Sequence, residues 1–156
     1  MKKVIGAVSA LFLGAALFAG DVDLTNASDV ADATKYNKLL RVYNADAVAH
    51  ENGDVVVFQY DSTYALEVAT TTSADSKLVA GIVYPKTMAA NSWGTIMVYG
   101  YHPAITIGVA NASGDCLGTS TTAEATGVTT TQGACVAVAL EATTSSTTVK
   151  GFVNAF

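Results

Sequence analysis

ANSWGTIMVYGYHPAI, residues 90–105, holds the single Trp of the chain, two of its seven Tyr and one of its two His. Two readings compete: an aromatic and histidine ligand site, or one strand crossing a sheet. Successive residues of a strand point to opposite faces. On that period Trp93, Thr95, Met97, Tyr99 and Tyr101 fall on one face, and Gly94, Ile96, Val98, Gly100 and His102 on the other. The large side chains are spread along a line, not gathered round a point. The stretch therefore reads as a strand whose aromatics pack across to neighbouring strands. Pro103 holds His102 extended and marks an edge or a strand start there.

The sequence on either side continues in the same way. A strand is expected at Leu39–Tyr43. The turn ENGD (51–54) leads into VVVFQY (55–60), and DST (61–63) turns into YALEVAT. LVAGIVY (78–84) follows, and Pro85 with the Ala-rich KTMAAN interrupts the sheet. Beyond WGTIMVYG come AITIGVA (104–110), the turn NASGD (111–115), two marginal strands in CLG and GVTT, and ACVAVALEA (134–142). A polar TTSST loop precedes the last strand, VKGFVNAF. Short strands at regular intervals, with no long helix-period segment, predict one small all-β domain, a β-barrel or sandwich. Val55–Tyr60, Trp93–Tyr101 and Val136–Leu140 are expected to be its scaffold.

Composition narrows the function. The chain has 156 residues, enough for one domain of moderate size, and only 13% are charged, about half the usual share. Hydrophobic residues reach 51% with aromatics at 8%, so the core is expected to be thin and built from small side chains. Net charge is -5, and after Arg41 the only basic residues are Lys77, Lys86 and Lys150. No cluster is available to neutralise a run of phosphates, which disfavours nucleic-acid binding. Cys116 and Cys135, nineteen residues apart, are either a disulfide in an oxidising compartment or two buried thiols on neighbouring strands. With two distant histidines they do not make a zinc site.

Residues 1–20, MKKVIGAVSALFLGAALFAG, place two lysines before an uncharged run from Val4 to Gly20. The segment reads either as a secretory signal peptide or as a retained arm burying its apolar face in another subunit. Cleavage after Ala19 puts Leu17 where a small residue is wanted, and cleavage after Ala16 puts Gly14 there but cuts into the apolar run. A spanning helix needs roughly 20 residues, so the run is short for one. Residues 21–50 read as an extended or partly helical arm. In it Ser28 caps a short helix with Val30, Ala33, Tyr36 or Asn37, and Leu40 on one side. Residues 51–156 are assigned to the β domain. Asp21, Asp23, Thr25, Asp29 and Asp32 echo the oxygen spacing of a calcium loop, but Asn26 stands where Gly is required. The segment reads as an acidic linker.

Enzyme signatures are missing. There is no G-x-S-x-G elbow, phosphate-cradling glycine loop or H-E-x-x-H. Ser113 and Ser120 sit in turns of small residues with no base suggested. Asp54, Asp61, Glu67, Asp115, Glu124 and Glu141 are scattered, and neither His50 nor His102 has an acid or thiol partner at motif spacing. Asn26 and Asn111 each open an N-A-S acceptor sequence. No catalytic, cofactor-binding or metal residue is assigned, and no cofactor is expected.

Three stretches carry a resemblance: GDVVVFQYDSTYALEVATTTSADSKLVAGIVY, WGTIMVYGYHPAITIGVANASGDCLGTSTTAEATGV and ACVAVALEATTSSTTVKGFV. Their order resembles the capsid decoration (cement) and head-fibre proteins of tailed bacteriophages. The matching residues are Gly53 to Val56, Ala80 to Val83, and Gly94 with Val98 and Gly100. They continue through Gly114, Asp115, Leu117, Thr119 and Ser120 to Ala137–Ala142. The resemblance covers about residues 40–156. It implies a non-enzymatic virion protein, often a homotrimer, that binds the outside of a shell and ties major capsid protein subunits together through its arm and turns. Nucleic acid and small-molecule substrates are not expected partners. Other readings are a secreted or surface β protein, with a Cys116–Cys135 bridge, forming filaments or layers, and a glycan-binding module using Trp93 or Tyr101.

Overall fold

The computed structural model describes residues 37–59 and 66–155. The hydrophobic lead, the acidic loop, the candidate helix cap at Ser28 and the DST turn lie outside the described residues. Nine strands follow one another: β1 (Lys38–Asn44), β2 (Val55–Phe58), β3 (Glu67–Ala69), β4 (Val79–Val83), β5 (Trp93–Ile107), β6 (Cys116–Thr119), β7 (Thr126–Val128), β8 (Ala137–Ala139) and β9 (Thr147–Asn154). No helix occurs among the described residues. The class is all-β, as the strand spacing predicts.

The pairing closes a barrel. β1, β3, β2, β4 and the first half of β5 form a five-stranded ring, because β1 pairs with β3 on one side and with β5 on the other. Closure leaves these strands no open edge. The second half of β5 pairs with β9, and the order continues through β8, β6 and β7. β7 returns to β5 through the single pair Ile107–Thr126, so the extra strands make a second, looser ring that shares β5 with the barrel.

The hydrophobic pattern follows from this sharing. Val42, Val56, Val68, Ala80, Val83, Met88 and Ile96 fill the barrel. Their chain neighbours Val55, Ile82 and Met97 point the other way, and pack with Ile105, Ile107, Leu117, Val149 and Val153 of the second ring. Strands buried on both faces need continuous apolar runs, and VVVF and VAGIV are such runs. β9 has one wet face, and TTVKGFVN alternates: Val149, Gly151 and Val153 are buried while Thr148 and Lys150 are exposed. Cys116, opening β6, and Cys135, just before β8, are bridged with their Cα atoms 5.5 Å apart.

Three expectations change. The two strands predicted either side of Pro103 are one strand of 15 residues. Pro103 falls where the β5–β9 register shifts between His102 and Ile105, so the N–H it lacks is not required by the ladder. Lys38–Asn44 is an integral barrel strand, so the β body begins before residue 51, and Leu40 lies in a strand rather than on a helix. The strand expected over 134–142 shortens to Ala137–Ala139, and Leu140 is exposed. Asn37 explains where β1 starts: its amide nitrogen donates to the Tyr101 carbonyl (3.4 Å) and its oxygen accepts from the Tyr101 N–H (3.0 Å).

Candidate functional site

The two histidines differ in role. His102 is fully buried in mid-strand. Its Nδ1 accepts from the Ala104 N–H at 3.1 Å, which fixes the tautomer, and Nε2–H then donates to the Val83 carbonyl at 3.1 Å. The Tyr84 ring packs edge-on against it. Burial pushes its pKa below the ordinary 6.5, with the Val83 hydrogen bond opposing. It is a neutral, satisfied core residue.

His50 sits among carboxylates. It is pinned by a reciprocal backbone bridge to Met88, with N–H to O=C distances of 2.9 and 2.8 Å. Nδ1 lies 3.2 Å from Glu124 Oε1, and Nε2 lies 3.3 Å from Asp46 Oδ2 without the alignment of a hydrogen bond. Asp46 is fixed by the Thr70 N–H, which donates to its Oδ2 at 2.7 Å. Asp54 stands beside this group. Its carboxylate accepts from the Glu51 N–H (2.6 Å) and the Thr106 hydroxyl (3.0 Å). Burial first, and then Glu124, raise the Asp54 pKa, against the hydrogen bonds and His50. Glu124 has φ of 70°, and its carbonyl accepts from the Val55 N–H at 2.8 Å, which ties the turn before β7 to β2.

The sequence reading left His50 without an acid partner. The structure supplies two, and brings together Asp54 and Glu124 of the scattered carboxylates. Asp46 is only four residues from His50, but that spacing carries meaning on a helix, and this segment is a loop. Glu124 is 74 residues away, and only the ring closure brings it near.

Asp54 and Glu124 line a shallow open cleft of about 320 Å³ with Thr106, Gly108, Ser146 and Thr147. Two carboxyls this close suggest glycosidase geometry, for which roughly 5–5.5 Å is the retaining spacing. Yet Asp54 is 4% exposed with both oxygens engaged, and the His50 ring is wholly covered. Neither reaches a sugar in this cleft. The turn serines are spent on backbone: Ser113 donates to the Leu140 carbonyl, and Ser120 donates to that of Thr122. Asn111 is buried, and its amide donates to the Ala112 and Glu141 carbonyls, so it is not presented for glycosylation. Trp93 is 47% exposed, with the Arg41 guanidinium 5.2 Å from its ring centroid and Tyr43 edge-on.

The local chemistry names no reaction, and the fold is the more telling feature. It is similar to the N base of the head fiber gp8.5 of bacteriophage phi29. The TM-score is 0.55, the identity 11%, and the match covers 76% of this chain and 96% of that one. At that identity the likeness is one of fold. No family model matches the chain, and no curated protein matches it by sequence. The resemblance to head-fibre proteins read from the strand order thus has a structural counterpart in a head-fibre base.

Within this head-fibre-like fold His102 gives a pH prediction. Its folded pKa is depressed, so as pH falls below about 6.5 the unfolded chain binds a proton that the native site resists. Its contribution to stability is full above that value and is lost as pH falls towards the folded pKa. Wild type is expected to lose stability between pH 7.5 and 5 more steeply than His102→Gln, whose amide can still donate to Val83. Urea midpoints at the two pH values measure this, and equal slopes would remove His102 from the account.

Proposed function

We propose that the chain is a non-enzymatic virion structural protein that binds the outer capsid lattice and stabilises it by bridging neighbouring subunits, as a homotrimer. The observation that carries this reading is the head-fibre-base fold, which spans 96% of the matched chain. Physical features support it. The cores are built from small and β-branched side chains, and the strand surfaces leave Leu39, Tyr99, Val128 and Val138 exposed. Weakly charged surfaces suit contacts between repeated copies, and symmetry multiplies weak contacts. Mass spectrometry of purified particles is expected to find many copies per virion. Light scattering of the isolated protein is expected to give a multiple, three, of the 15.9 kDa chain. Particles lacking the protein but equally stable to heat would sink the bridging role.

One observation keeps a second reading, a secreted or surface β protein, open to test: the Cys116–Cys135 bridge. Disulfides persist on cell surfaces and on virions alike, so the bridge alone does not choose. Intact mass does. A full-length chain in particles, lighter by about 2 Da for the bridge, fits the virion. A chain shortened near Ala16 or Ala19 and found free of particles fits secretion.

A further inference from the structure

Three carboxylates, Asp46, Asp54 and Glu124, converge on the imidazole of His50. That ring is fully buried, and its Nε2 has no hydrogen-bond partner although Asp46 stands 3.3 Å away. A neutral imidazole carries one ring proton, and here two nitrogens each face a carboxylate oxygen. With the proton on Nε2, towards Asp46, the Nδ1 lone pair meets Glu124 Oε1 at 3.2 Å, and two acceptors oppose each other. A cation between them resolves the conflict. Asp46, itself held by the Thr70 N–H, stands where metal-binding histidines place the carboxylate that receives their outer N–H, and a small tilt of the ring completes that bond.

We propose that His50 Nδ1, Asp54 and Glu124 bind one divalent transition ion of the Zn²⁺ or Mn²⁺ class, with Asp46 orienting the ring. The three donor atoms lie within 4.8 Å of one another. An ion with bonds of about 2.0–2.2 Å holds tetrahedral ligands about 3.3–3.6 Å apart. Closing the set takes a small rotation, available to Glu124, whose side chain is 34% exposed. Ca²⁺ and Mg²⁺ prefer all-oxygen sites, so the imidazole selects against them. Glu124 is partly exposed where it lines the cleft, which gives the ion a way in. The ion clips the turn before β7, in the second ring, to the segment that leads from β1 into β2 of the barrel.

The test uses untagged full-length protein, stripped with a chelator and then exposed to Zn²⁺, Mn²⁺, Mg²⁺ or Ca²⁺ as chlorides. Elemental analysis and the thermal midpoint are read together. The expected result is about one Zn²⁺ or Mn²⁺ per chain and a midpoint several degrees higher, by mass action, with Mg²⁺ and Ca²⁺ inactive. His50→Gln removes the nitrogen ligand and abolishes both readouts. Because His50 is buried and its variant is at risk of misfolding, Glu124→Gln decides: isosteric and partly exposed, it is expected to fold and to bind at least about tenfold more weakly. No retained ion and no midpoint shift in wild type would overturn the proposal. Unchanged affinity in Glu124→Gln would overturn it by placing the ion elsewhere.

Discussion

Gly53→Val is expected to leave no folded protein. Gly53 lies in the ENGD turn with φ of 105°, a region that side-chain-bearing residues rarely enter. Its N–H donates to the Val83 carbonyl at the end of β4, and its carbonyl accepts from the Thr106 N–H in the far half of β5, both at 2.9 Å. One residue thus stitches the barrel to the strand it shares with the second ring. A Cβ there would run into the backbone carbonyl of Ala104, which has no rotamer with which to move aside. The strained φ costs about 1–3 kcal/mol, and crowding of packed backbone costs about 1–3 kcal/mol or more. The two together, on the order of 2–6 kcal/mol, reach the lower end of the stability of an ordinary domain, about 5–15 kcal/mol. The control is Gly114→Ala. Gly114 has φ of 91° but nothing within 4 Å of an added Cβ, so only the backbone strain is charged, about 1–3 kcal/mol. Far-UV circular dichroism and soluble yield read both variants. A Gly53→Val protein that melts within a few degrees of wild type would mean that the turn does not cross as described.

Strand identity was legible from the sequence because burial writes it locally. The alternation across 93–102 places Ile96 inside the barrel and leaves Trp93 and Tyr99 exposed, and the continuous VVVF and VAGIV runs mark strands covered on both sides. Pro103 misled, because proline normally interrupts a ladder and only the partner strand reveals the bulge that accommodates it. Leu140 misled in the other direction: an apolar residue at the end of an apolar run, yet exposed, because alternation puts it on the same outward face as Val138. The cluster at His50 was not legible. Asp54 and Glu124 belong to different turns, and their meeting depends on β7 returning to β5 through one pair at Ile107–Thr126. No local period encodes a closure of that kind. The cysteines fell between these cases. Their spacing allowed a bridge, and the adjacency of β6 and β8 supplies it.

Ile82→Ala is expected to cost about 3–4 kcal/mol, within the usual 2–5 kcal/mol for such truncations, and to weaken both rings at once. Val55, Ile82 and Met97 are direct cross-strand neighbours on β2, β4 and β5, and form a ridge on the outside of the barrel. That ridge is the floor of the second core, where it meets Ile105, Leu117, Val149 and Val153. Ile82 is 0% exposed, so its truncation opens a cavity between the rings rather than at the surface. Val83, the next residue, points into the barrel with Val56 and Ile96. Val83→Ala removes less volume and is expected to cost on the order of 2 kcal/mol. If the strands share one cooperative unit, both variants melt in a single transition, and Ile82→Ala lowers the midpoint by roughly 10 °C. Hydrogen exchange distinguishes the alternatives. Loss of protection in β9 as well as in β2 of the Ile82→Ala protein is the outcome that a shared core requires. Protection retained in β9 would mean that the rings fold separately, and that β5 joins them without coupling them.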